Sequence, residues 1–117
     1  MKIKIILLYL LRMVKIFSYK RLHEPQEQED TFGTSFKVDE GLDLLEGWDF
    51  DYKKIEGEEY KIAFYTGKKN DVIMGALVNI PDDEYLEIID DYEGHWYKRI
   101  PIKTASGIEC EMYVKRD

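Results

Sequence analysis

Cysteine is nearly absent from this chain: its 117 residues contain one, Cys110. An internal disulfide and a cysteine zinc set are therefore excluded. Histidine is almost as sparse, and His23 and His95 have no metal-ligand spacing to each other or to the cysteine. Long apolar runs are missing as well. The stretch Ile5 to Leu11 is seven residues long, far below the roughly 20 that a membrane-spanning helix needs. No small-residue cleavage site follows it, since Arg12-Met-Val-Lys15 comes next, so the pattern of a secretory signal is incomplete. The expected compartment is the cytoplasm. Acid is absent from the first 22 residues, which hold six of the 17 basic residues, so the remaining 11 share residues 23–117 with all 24 acids. An acidic body of this kind argues against a nucleic-acid partner, whose phosphates need a basic footprint, and against an anionic membrane surface. Nucleophile elbows, phosphate-binding loops, zinc-protease motifs and dinucleotide glycine fingerprints are also lacking.

What is present reads as one α+β domain. Val14–Tyr19 is rich in β-branched and aromatic residues and reads as a buried strand. Pro25 followed by acids suits a first helical turn, closed by Gly33. Strands are expected at Ser35–Val38, Phe50–Ile55, Tyr60–Phe64 and Asp71–Ile80, the last with Gly75 inside it as a mark of a bulge or a close backbone approach. Pro81–Tyr92 reads as a second helix, with Tyr85, Ile88, Ile89 and Tyr92 on one apolar face beside Leu86. Glu93-Gly94 ends it. Trp96–Lys103 and Ile108–Lys115 form an antiparallel pair around Ala105-Ser-Gly107. Cys110 lies in the alternating stretch 108–114 and is expected to point inward as a small core residue. The aromatic residues alternate with apolar partners and read as core rather than as base-stacking platforms.

Glu93 stands out chemically. A carboxylate at a helix C-terminus meets the negative end of the dipole, and Tyr92, Trp96 and Tyr97 close by in sequence would partly desolvate it. Both effects raise a carboxyl pKa and suit a general acid/base. The plain alternative is a solvated acid beside Asp90 and Asp91.

Two stretches carry a family resemblance. Ile16-Phe-Ser-Tyr-Lys-Arg-Leu22, with Pro25 and Thr31-Phe-Gly33 after it, resembles the opening strand and loop of the γ-glutamylcyclotransferase-like family, which reads Phe-x-Tyr-Gly-(Thr/Ser)-Leu. Val72-Ile-Met-Gly75, then Leu86-Glu-Ile-Ile-Asp-Asp-Tyr-Glu-Gly94 and Tyr97-Lys-Arg99, is similar to its second signature, and Tyr113 falls where members often keep an aromatic. The resemblance runs from about Val14 to Tyr113.

It implies a small mixed or antiparallel β-barrel with flanking short helices and one cavity. It also implies cyclisation of a γ-glutamyl amine or γ-glutamyl amino acid to 5-oxoproline with release of the amine, without metal or cofactor. Glu93 would be the catalytic acid/base, and Tyr19, Lys20, Arg21 and Leu22 would hold the substrate carboxylate, with Tyr97 beside them. Arg99 reads as a strand-surface charge and His95 as an exposed loop residue. The sequence departs from the family at Lys20 and Arg21, which stand at the Gly and Thr/Ser positions. Glycine serves where φ is positive or a ligand approaches the backbone closely. Either the loop is remodelled so that Lys20 or Arg21 grips an anion directly, or the domain is a non-catalytic small-anion-binding or regulatory relative. Residues 1–12 read as an extension preceding a domain over 13–117, rather than as an extra element lying on it. The sequence leaves the oligomeric state open.

Overall fold

β1 (Val14–Ser18) is the axis of the molecule. In this computed structural model, which describes residues 13–116, the expected extension 1–12 lies outside the described residues. β1 pairs antiparallel with β6 (Val72–Ile80) on one side and parallel with β8 (Glu109–Lys115) on the other. A strand with sheet on both sides is buried over most of its length: Ile16, Phe17 and Ser18 are each 4% exposed or less, and Val14 and Lys15 are partly buried. The apolar run along β6, buried from residue 75 to residue 80, follows from the same two-sided burial.

The sheet extends from β8 to β7 (Tyr97–Lys103). Beyond β6, its outer edge is shared by β2 (Lys37–Val38) and β3 (Asp43–Glu46). A separate antiparallel hairpin, β4 (Trp48–Ile55) and β5 (Glu58–Tyr65), folds against β8 and forms its own two-stranded sheet. Sheet and hairpin enclose the core as a barrel does, but among the described residues hydrogen bonding does not close them into one ring.

Alternation along β1, β6 and β8 divides the core in two. Ile16, Val78, Ile80 and Tyr113 face the helices. Phe17, Leu77, Met112 and Val114 face the other way, toward Ala63 of the hairpin and Leu45 of β3. Cys110 is buried in this second half, as its alternating position implies, and burial pushes its thiol up to about 11. Gly75 marks a close approach: a Cβ there would lie 2.7 Å from two ring carbons of Phe17 and 2.9 Å from the Ser18 carbonyl oxygen.

The helices are α1 (Pro25–Phe32) and α2 (Asp83–Glu93). Pro25 opens α1, and α2 is capped by the Asp82 carboxylate, which accepts from the Tyr85 N–H at 2.9 Å. The buried stripe of α2 differs from the expected one. Leu86 and Ile89 are its buried residues, whereas Ile88 is 43% and Tyr92 36% exposed. The stripe Leu86–Ile89–Glu93 has i, i+3, i+7 spacing, so Glu93 continues the face that enters the core. Tyr92 instead packs edge-on to Phe32 and donates to Glu27 at 2.7 Å, both on α1.

Three further expectations change. β3 has no β-branched residue and was not foreseen; it forms because β6 offers an open edge and Leu45 fills the core behind it. The strand expected at Ser35–Val38 shrinks to Lys37–Val38. Arg99 is not a free surface charge: it forks onto Asp90 at 3.1 and 3.2 Å and reaches Glu111 at 2.9 Å.

Substituting Gly75→Val is expected to lower stability by about 1–3 kcal/mol, because the added side chain must displace Phe17. Urea unfolding should show a lower midpoint at unchanged slope.

Candidate functional site

Three chain segments converge where β1 ends. The loop Tyr19–Leu22 leaves β1, α2 ends at Glu93, and β7 begins at Tyr97. All six residues that the sequence nominates line one cleft of about 620 Å³. The opposite wall comes from the β4–β5 hairpin, through Tyr52, Tyr60 and Lys61 with Glu58 and Glu59. None of the hairpin residues was nominated. Their alternating aromatic pattern reads as core in sequence, and only tertiary folding brings the hairpin over the loop.

Glu93 is held by the helix that buries it. Leu86 and Ile89 anchor α2, and Gly94 ends it with φ +86°, a conformation that favours glycine. The Glu93 side chain is 7% exposed and accepts a hydrogen bond from the Lys20 ammonium. Lys20 is itself mostly buried, and its Nζ lies 3.8 Å from the centroid of the Tyr97 ring.

Burial pushes the Glu93 carboxyl above its ordinary value of 4.5, and the Lys20 ammonium pulls part of the way back. Burial lowers Lys20 from 10.5, and Glu93 opposes that shift. The two groups are thereby brought closer in proton affinity, which suits a couple that exchanges protons.

The loop is fixed from below. The Tyr19 hydroxyl donates to the Tyr113 carbonyl oxygen at 2.7 Å and accepts from the Ala63 N–H at 3.3 Å. It ties β1, β8 and β5 together at one buried atom. Gln28, buried in α1, donates to the Leu22 carbonyl oxygen at 2.9 Å and accepts from the Phe36 N–H at 2.9 Å. Ser18 Oγ and His23 Nδ1 lie 2.8 Å apart and brace the other end of the turn. Among the described residues, the N–H groups of Lys20, Arg21 and Leu22 make no hydrogen bond to another backbone group. Loop N–H groups not taken up by the backbone are the chemistry of an anion receptor.

Each loop residue takes a different position. Leu22 is core, 3% exposed. Arg21 reaches the rim, but its guanidinium is 68% exposed and bonded to Glu24 at 3.2 Å and Glu27 at 2.9 Å. Lys20 does not adopt a left-handed backbone, since Glu56 is the one non-glycine with positive φ among the described residues. The Tyr97 hydroxyl donates to the Lys61 carbonyl oxygen at 3.1 Å, joining β7 to the hairpin, and burial pushes its pKa up to about 12.

A polar brace lies behind Glu93. Asp90, one turn back on α2, accepts from the Tyr113 hydroxyl at 2.6 Å and from Arg99. Among the described residues, no group of three or more His, Cys, Asp or Glu is arranged to hold a metal, and no helix is long and apolar enough to cross a membrane.

No sequence-family model and no curated protein matches the chain. Solved structures do match it. A γ-glutamyl cyclotransferase aligns with TM-score 0.71 at 16% identity, over 91% of this chain and 68% of its own. A human uncharacterized protein aligns with TM-score 0.71 at 17% identity, over 90% and 68%. An Arabidopsis thaliana protein aligns with TM-score 0.68 at 18% identity, and this chain spans only 62% of its length. The fold is therefore γ-glutamylcyclotransferase-like, as the sequence motifs imply.

The raised Glu93 carboxyl has a sign that can be checked. Over the pH interval that starts at its ordinary 4.5 and ends at its higher folded value, the folded chain holds a proton the unfolded chain has released. Its contribution to stability is therefore present below that interval and lost as pH rises through it. In a carbon-13 titration the Glu93 side-chain carboxyl should change state above 4.5, and higher again in Lys20→Met, where the opposing ammonium is gone.

Proposed function

We propose that the protein converts a γ-glutamyl amine or γ-glutamyl amino acid into 5-oxoproline and the free amine, with Glu93 as general acid/base. The observation that carries this reading is the buried Glu93 carboxyl lining one cleft together with the Tyr19–Leu22 loop. The likeness in fold to a γ-glutamyl cyclotransferase supports it.

In this reaction the substrate's α-amine nitrogen attacks its own γ-carbonyl carbon and closes a five-membered lactam. The bond from that carbon to the leaving nitrogen breaks. Glu93 takes the proton lost by the attacking nitrogen and returns one to the departing amine, so it ends each turnover in its starting state. The cleft's task is to fold the substrate into the ring-closing geometry, an effect worth about 7–11 kcal/mol in favourable cases. The loop N–H groups of Lys20, Arg21 and Leu22 supply donors for the substrate carboxylate or for the oxyanion that develops at the γ-carbon. Tyr19, Tyr97 and the hairpin tyrosines Tyr52 and Tyr60 complete the walls. The partner is a small γ-glutamyl compound, and the proposed compartment is the cytoplasm.

A second reading has one observation in its favour. The Lys20 ammonium already occupies Glu93, as it would in a domain that binds a small anion without turnover.

Incubation with a panel of γ-glutamyl compounds, followed by chromatographic detection of 5-oxoproline, separates the two. Turnover is expected with at least one compound, and Glu93→Gln should reduce it about 10²- to 10⁴-fold. Release of 5-oxoproline at an unchanged rate by that variant removes Glu93 from the mechanism, and no release from any compound favours the binding module.

A further inference from the structure

We infer that Lys20 is the receptor for the substrate's α-carboxylate, and that it reaches this role by changing partners: its ammonium leaves Glu93 when the substrate's α-ammonium takes its place. The inference rests on the cyclisation reading and gives that site its selectivity.

In the free protein the Lys20 ammonium sits on the Glu93 carboxylate. Cyclisation needs the substrate's own nitrogen at that carboxylate, because a base must be within hydrogen-bond reach of the proton it removes. Glu93 is 7% exposed, so two ammonium groups sharing it would leave one buried charge unpaired, at high cost.

An α-amino acid resolves the conflict by itself. Its carboxylate hangs from the same carbon as its ammonium, so the incoming group that displaces Lys20 brings a new anion within reach of the displaced cation. Two ion pairs then stand where one stood, and no charge is left unpaired.

The surroundings favour Lys20 over the other cations. Arg21 is bonded to Glu24 and Glu27 and points to solvent. The Lys61 Nζ lies over the Phe50 ring, 4.0 Å from its centroid. Lys20 has a flexible four-carbon stem with rotatable donors, and the Tyr97 face at 3.8 Å gives its charge a second resting surface. This accounts for a lysine at a position where the related motif has glycine. A γ-acyl amide that lacks the α-carboxylate leaves Lys20 on Glu93 and the base blocked.

The test is calorimetric titration of the whole protein with 5-oxoproline and with 2-pyrrolidinone, which is the same ring without the carboxylate. The wild type should bind 5-oxoproline, and Lys20→Met should bind it about 10- to 100-fold more weakly, the span for losing a hydrogen bond to a charged group. Affinity for 2-pyrrolidinone should be equal in the two proteins. Equal or tighter binding of 5-oxoproline by Lys20→Met, or no binding by the wild type, overturns the inference and leaves Lys20 as a plug.

A measurement on the wild type alone guards against a misfolded variant. 5-Oxoproline brings the carboxylate with a neutral ring nitrogen, so at saturation it draws Lys20 away without replacing it: the Glu93 carboxyl midpoint should move upward, toward its value in Lys20→Met, and an unmoved midpoint overturns the exchange. Neither readout needs turnover. Binding results as expected with no 5-oxoproline released from any γ-glutamyl compound would sink the cyclisation reading and keep the receptor. Turnover with unaltered binding in Lys20→Met would do the reverse.

Discussion

A carboxylate leaves water only when something nearby offsets its lost hydration, and at Glu93 that something is the Lys20 ammonium. The rest of the site is arranged around this pair. α2 drives Glu93 inward along the stripe of Leu86 and Ile89, and β1 delivers Lys20 one residue past the buried Tyr19. Neither group would remain charged in its place alone, since a buried ion without a partner gives up its charge before it pays the desolvation cost. The pair thus sets the protonation of the cleft as well as its shape.

The frame around the pair is polar but satisfied. Tyr113 serves both sides of it, with its carbonyl oxygen accepting from Tyr19 and its hydroxyl donating to Asp90. Arg99 closes the back of the same brace by holding Asp90 and Glu111. The loop and the helix end are therefore positioned by β8, the strand that also lies beside β1. Among the described residues no buried side-chain nitrogen or oxygen lacks a hydrogen-bond partner, which is what lets a polar network of this size rigidify a small core instead of weakening it.

Much of this was legible in the sequence because the signals were local. The strand before Tyr19, the helix ended by Gly94 and the final hairpin all carry their own punctuation, and Gly75 announced the close approach to Phe17. Of the site residues, Tyr19–Leu22 were nominated by the motif that opens the domain, and Glu93 and Tyr97 by the stretch 86–99. What was not legible depends on partners far along the chain. The face of α2 was misplaced by one step, because Ile88 and Tyr92 are as apolar as Leu86 and Ile89 and only docking decides which pair is covered. β3 is defined by the edge it completes. The hairpin wall, with Tyr52, Tyr60 and Lys61, has no local mark of function. The meaning of Lys20 was open for the same reason: its partner lies 73 residues away.

The placement of β1 also governs the order of assembly. It pairs with strands that begin at Val72 and Glu109, and the oxygen that receives the Tyr19 hydroxyl is 94 residues downstream. Contacts of such separation are slow to form, because loop closure must precede any gain from them. β1 is therefore enclosed only after strands much later in the chain have docked on it. The loop that lines the cleft is held in place only once β8 has docked, since the carbonyl oxygen that receives the Tyr19 hydroxyl lies on that strand.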